Sequence, residues 1–199
     1  MTAPRFRRRQ LLTLTGVGLS GALTACLDTA PSDVNTSTET PEPSRTPPSY
    51  DCGAAYRPEP NPPRAENAVE PKAYPSRPES IENGGGIVEY VTEYEKAYRV
   101  NSLLAQYGDR LTNVSIWIDE TRTYDAPEQT ALVRVQYRYS ETVETEDGAV
   151  IGDSPRIFVT YYVDQSVVIR AESTGASDDS ETLHPDPWRG GRTVDCFGS

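Results

Sequence analysis

Between Val114 and Ala171 the chain carries four runs in which β-branched or aromatic side chains recur at every second position. Successive side chains of a strand point to opposite faces, so this period fits strands with one face buried and does not fit helices. The first run sets Val114, Ile116 and Ile118 against Ser115, Trp117 and Asp119. The second sets Val133, Val135, Tyr137 and Tyr139 against Arg134, Gln136 and Arg138. Ile157, Val159, Tyr161 and Val163 alternate with Phe158, Thr160 and Tyr162. In the last run Val167, Ile169 and Ala171 alternate with Val168, Arg170 and Glu172. Half-buried antiparallel strands are the expectation.

Before these runs the period changes. Ile87, Val91, Tyr94, Tyr98, Asn101 and Ala105 fall at three- and four-residue steps, which predicts a helix over Ile87–Tyr107 with Gly108 as its stop. Such a helix is roughly 30 Å long. Glu89, Glu93, Lys96 and Arg99 are expected on its wet side. One apolar helix stripe and one apolar sheet face can bury each other. The predicted fold class is therefore α+β: one N-terminal helix packed on a four-stranded antiparallel sheet, with a Pro-rich arm and an irregular C-terminal tail at its flanks. The order of elements resembles a cystatin-like arrangement or the small cone-shaped fold of the nuclear-transport-factor type. That likeness is topological, and fold does not give function.

Asp147-Gly148 signals a hairpin between the second and third strands, and Pro155 a bulge or edge position. For the last hairpin a three-residue loop, Asp164-Gln165-Ser166, is expected, because it pairs Val163 with Val167, Tyr161 with Ile169 and Val159 with Ala171 on one apolar face.

The N-terminus follows other rules. Residues 1–25 contain Arg5, Arg7, Arg8 and Arg9, no acidic residue, and an apolar stretch from Leu11 to Ala25. A positive segment before a short apolar one is a signal-peptide pattern, too short to span a bilayer comfortably. Arg8-Arg9-Gln10-Leu11-Leu12 resembles the twin-arginine export signal. Leu23-Thr24-Ala25-Cys26 resembles a lipobox, which implies that Cys26 carries a lipid and that the chain sits on the extracellular face of the cell membrane.

Four of the 19 basic residues lie in this segment and none of the 30 acidic ones, so the chain beyond it carries 15 against 30, a charge of −15. Its only lysines are Lys72 and Lys96. Such an excess disfavours phosphate backbones, so no nucleic acid is expected as a partner. At molar salt the Debye length falls to about 3 Å and the self-repulsion is screened. Acidity, scarce Lys and the export signal together resemble haloarchaeal secreted lipoproteins. Glu89-Tyr90-Val91, Tyr94-Glu95-Lys96-Ala97-Tyr98-Arg99 and Asn101 resemble a recurrent domain of that group, twin-arginine-exported and halophilic. The resemblance implies a location and brings no activity with it.

Residues 26–50 are rich in Ser, Thr, Pro, Asp and Glu and read as a disordered linker. Residues 51–79 carry Pro58, Pro60, Pro62, Pro63, Pro71, Pro75 and Pro78, but also Tyr56, Val69 and Tyr74, and read as an extended arm lying on the domain. Residues 80–199 are the domain with its tail. Asn35-Thr36-Ser37 and Asn113-Val114-Ser115 are formal glycosylation acceptors.

With Cys26 taken by lipid, Cys52 and Cys196 remain, and two leftover Cys in an exported chain are expected to pair. His184 stands alone in a Pro-flanked loop and reads as a surface residue; a single His also removes the usual zinc sites. Glu144, Glu146 and Asp147, and Asp178, Asp179 and Glu181, form acidic clusters without a calcium-loop pattern and read as solvated surface. No metal and no cofactor is expected.

The remaining polar phase of the strands is chemically the richest part of the chain. Trp117, Arg134, Arg138, Phe158, Tyr162 and Arg170 are all expected to point away from the helix. Aromatic rings beside Arg can form a stacking or cation–π platform. The competing expectation is that the arm or the tail, with Trp188, covers this face. The functional expectation is a non-catalytic, lipid-anchored surface protein that binds an envelope protein or a small solute. The alternatives are a structural spacer and a small extracellular hydrolase using a carboxylate pair.

Overall fold

The computed structural model describes residues 46–81, 84–175 and 182–198. Arg8, Arg9, Cys26, Asn35 and the acidic run Asp178, Asp179 and Glu181 lie outside the described residues.

One long helix, α1 (Gly85–Tyr107), precedes the strands β1 (Leu111–Tyr124), β2 (Ala131–Thr145), β3 (Gly148–Asp153), β4 (Ile157–Val163) and β5 (Val167–Thr174); a single-turn helix, α2 (Pro187–Gly190), leads into β6 (Arg192–Cys196). None of the described helices is long and apolar enough to cross a membrane. All strand pairs are antiparallel, in the order β1-β2-β4-β5-β6, with β3 also on β2. β2 is long enough to pair with β4 along Ala131–Tyr137 and with β3 along Ser140–Thr145.

This overturns the expected α+β fold of one helix on four strands. The fold is mostly sheet: one long helix against six antiparallel strands. The two unexpected strands hide from a hydrophobic pattern for a physical reason. β3 has no buried residue, and its Val150 and Ile151 are 55% and 70% exposed. β6 buries only Val194. Both are strands because their backbones join a ladder, and that leaves little trace in side-chain periodicity. The tail is correspondingly not irregular to its end.

The helix buries Ile87, Tyr90, Val91 and Tyr94 against Val133, Val135, Val159, Tyr161, Val163 and Val168. A smaller cluster of Leu103, Leu104, Leu111 and Val143 closes its C-terminal end. There Gly108, at φ 58°, donates its N–H to Leu104, the left-handed stop that only glycine takes cheaply. Ala105 is exposed, and Arg99 is turned inward and not to the wet side.

The proline-rich segment docks through its backbone. Asn101 accepts from the Lys72 N–H and donates to the Lys72 carbonyl, both at 2.9 Å, imitating a strand partner. Tyr74 stacks 4.9 Å from Tyr94, and Val69 donates to Leu111 at 2.8 Å. At the other end Tyr56 donates to Thr193 of β6. Cys52 and Cys196 form a disulfide with Cα atoms 5.8 Å apart.

The β4–β5 register differs from expectation by one residue, and this has the largest consequence. Val163 pairs with Val168, Tyr161 with Arg170 and Val159 with Glu172. Asp164 sets the turn: its Oδ1 accepts from Ser166 and Val167 at 2.6 and 2.9 Å, and its N–H bonds the Val167 carbonyl. A one-residue slip exchanges the faces of a strand. Arg170 therefore lies on the helix side, while Val167 and Ile169 lie on the other.

Candidate functional site

Two polar groups of residues are buried in this sheet, one on each face. On the helix side the centre is Glu95, one of the largest fully buried side chains. Its Oε1 accepts from Tyr137 and from Arg170 Nη2 at 2.8 Å; its Oε2 accepts from Tyr161 at 2.6 Å and Arg170 Nε at 2.7 Å. All four acceptor positions of the carboxylate are thus filled. The Arg170 guanidinium lies 4.2 Å from the Tyr98 ring centroid and reaches Glu172 at 2.5 Å. Arg99 joins the same Glu172 at 2.8 Å and donates to the Tyr137 hydroxyl at 2.8 Å.

Burial alone would raise the Glu95 carboxyl, but the Arg170 charge and hydrogen bonds, with Arg99 and Tyr137, hold it below the usual range. Burial and the Glu95 charge push the Tyr137 and Tyr161 hydroxyls well up. General acid–base catalysis needs a group with an unengaged position facing a substrate. Glu95 has none, so this network fastens helix to sheet. The sequence hid it because an acidic residue on a helix next to Lys96 reads as solvated, and Arg170 was expected on the opposite face.

The other face carries the remaining expected ligand residues. Trp117 is 52% exposed and stands opposite Arg138, whose guanidinium pairs with Asp119 at 3.0 and 3.1 Å. Tyr162 is buried under Trp188, with ring centroids 5.7 Å apart, in a cluster with Leu132, Val167, Ile169 and Leu183. Trp188 Nε1 in turn donates to the Thr46 carbonyl at 2.8 Å. The tail therefore covers this part of the outer face. His184 lies exposed at its rim, 3.3 Å from Ser173 Oγ.

Arg134 and Phe158 lie between these two parts, and both are buried, Arg134 to 3% exposure. The Arg134 guanidinium sits 5.9 Å from the Tyr124 ring and 5.7 Å from the Phe158 ring. Its Nη2 has no hydrogen-bond partner among the described residues. The same holds for Gln136 Oε1, Thr160 Oγ1 and the Tyr124 hydroxyl, all buried. Thr160 is directly opposite Arg134, Gln136 is the next residue of β2 on that face, and Tyr124 is opposite Leu132, two residues before Arg134. Arg122, paired with Glu120 at 2.9 Å, also stands directly opposite Arg134. Like charges at directly opposite positions repel. An uncompensated buried charge costs about 3–5 kcal/mol, and each unmet polar atom adds about 1–3 kcal/mol.

Of the six residues expected on this face, Arg170 is the correction; the other five are there, but only Arg134 and Phe158 adjoin the unmet group. Gln136, Thr160 and Tyr124 were not singled out. Their chemistry is ordinary, and what marks them is burial without a partner, which no sequence pattern reports. No protein-family model, curated protein or solved structure matches this chain, so the reading of the site rests on its geometry.

Proposed function

We propose that the chain is a non-catalytic binding module, anchored through a lipid on Cys26 to the extracellular face of the cell membrane, whose recognition surface is the outer face of the sheet around Arg134. One observation carries the binding reading. The sheet satisfies every acceptor position of its buried Glu95 on one side, while on the other Arg134 Nη2 and three polar atoms at neighbouring register positions have no partner among the described residues; of the other buried polar atoms, the Tyr90 hydroxyl and Glu141 Oε2 are likewise unpartnered. A fold that can build the first arrangement has no structural need of the second, whereas a ligand supplying the missing partners accounts for it. The anchor is supported by the twin-arginine pattern at Arg8-Arg9 and the lipobox ending in Cys26.

Native mass spectrometry of the protein purified from its own membranes tests both parts. The expected result is a lipid-modified chain beginning at Cys26 that retains a small noncovalent adduct, lost in Arg134→Met. An unlipidated chain with another start removes the anchor. Absence of any adduct on the wild type removes the binding module.

A further inference from the structure

We infer that the Arg134 site takes a small α-hydroxy carboxylate. The inference rests on the binding reading above and names its ligand class. The argument is a count of donors and acceptors. Arg134 Nη2 offers an N–H, Thr160 and Tyr124 an O–H each, and all three need an acceptor. Arg134 also brings a positive charge with no carboxylate paired to it among the described residues, so the acceptor is an anion. A planar carboxylate matches guanidinium geometry. Gln136 Oε1 needs the reverse, a donor on the ligand.

Simpler anions leave something unmet. Sulfate and acetate satisfy Arg134 and Thr160 but give Gln136 no hydrogen. An α-amino acid offers a donor, but its ammonium restores the positive charge that its carboxylate removes. A neutral sugar leaves the guanidinium uncompensated. A hydroxyl on the carbon next to a carboxylate supplies one donor, two acceptor oxygens and one negative charge in a compact body. The rings of Tyr124 and Phe158 flank the guanidinium and can hold that body's carbon atoms. Tyr124 belongs to β1, the terminal strand of the sheet.

The test follows the thermal midpoint of the mature chain in dilute buffer with glycolate, acetate, glycine or sodium sulfate. Glycolate is expected to raise the midpoint at concentrations at least tenfold below those at which acetate does. Gln136→Leu should erase that preference while acetate still acts. Arg134→Met should abolish both effects, and its own midpoint without ligand should equal or exceed the wild type's, which shows the fold intact. Acetate or sulfate acting as strongly as glycolate overturns the α-hydroxy assignment. So does an absence of any glycolate effect. In either case a retained native adduct keeps the binding reading standing, and without that adduct both fall.

Discussion

The two faces of one sheet treat buried charge in opposite ways. Toward the helix, Glu95 and Glu172 meet Arg170 and Arg99 with hydrogen bonds of 2.5–2.8 Å, and two tyrosine hydroxyls complete the set. Away from it, Arg134 meets aromatic rings and, among the described residues, no carboxylate. Both guanidiniums are buried, so burial does not separate them; completeness does. A polar group that is closed on itself rigidifies a fold, and one left open is stabilised only by something from outside. The recognition proposed for the outer face rests on this difference and not on residue type, since both faces hold Arg and Tyr.

Removing the central carboxylate breaks the comparison most sharply. Glu95→Ala leaves Arg170 buried without its partner and should destabilise the domain by about 3–5 kcal/mol in urea unfolding. The double change Glu95→Leu, Arg170→Met should recover much of that loss, because both charges leave together. A loss below about 1 kcal/mol for Glu95→Ala would show that the network is not the fastening described.

The next effect concerns what lies over each side. Replacing Cys52 and Cys196 by Ser should cost about 2–5 kcal/mol. Hydrogen exchange should rise in residues 52–79 and 182–198, while β2 and β4 stay protected. Uniform acceleration across the sheet would mean that the bridge holds the core and not its coverings.

The smallest expected effect is a pH dependence centred on Glu95. The folded Glu95 carboxyl is held below its ordinary value, so its contribution is complete above the ordinary glutamate value of about 4.3 and is lost as pH falls through the folded one. Asp195 runs the other way: burial raises it above its ordinary value, so falling pH favours its folded form and offsets part of the loss. Acid unfolding should therefore steepen below about pH 4. Glu95→Gln should flatten that limb, whereas Arg134→Met should leave its shape unchanged.

Much of this architecture can be read from the chain. Ile87 to Tyr107 shows its helix through spacing and Gly108, and β2 and β4 announce themselves by alternation. β3 and β6 do not, because Val150 and Ile151 stay in solvent and β6 buries one residue. The expected β4–β5 register is off by one because Val167-Val168-Ile169 is apolar in both phases. The Asp164 turn and the Glu95–Arg170 pair decide it, and both are polar. The proposed binding face was half legible for the same reason. Arg134 and Phe158 follow from phase alone, Arg170 was assigned to the wrong side with its strand, and Gln136 and Thr160 acquire meaning only from what they fail to touch.

The bridge between Cys52 and Cys196 joins positions 144 apart, so nearly the whole domain is a covalent ring. A ring cut once stays in one piece. A protease that opens the 125–130 loop or the β2–β3 turn would produce two fragments that remain linked, and through the anchor proposed at Cys26 both would remain on the membrane. Shedding the domain would require a cut before Cys52 or loss of the bridge. At the extracellular location proposed, where a severed polypeptide diffuses away, this closure would make retention tolerant of damage.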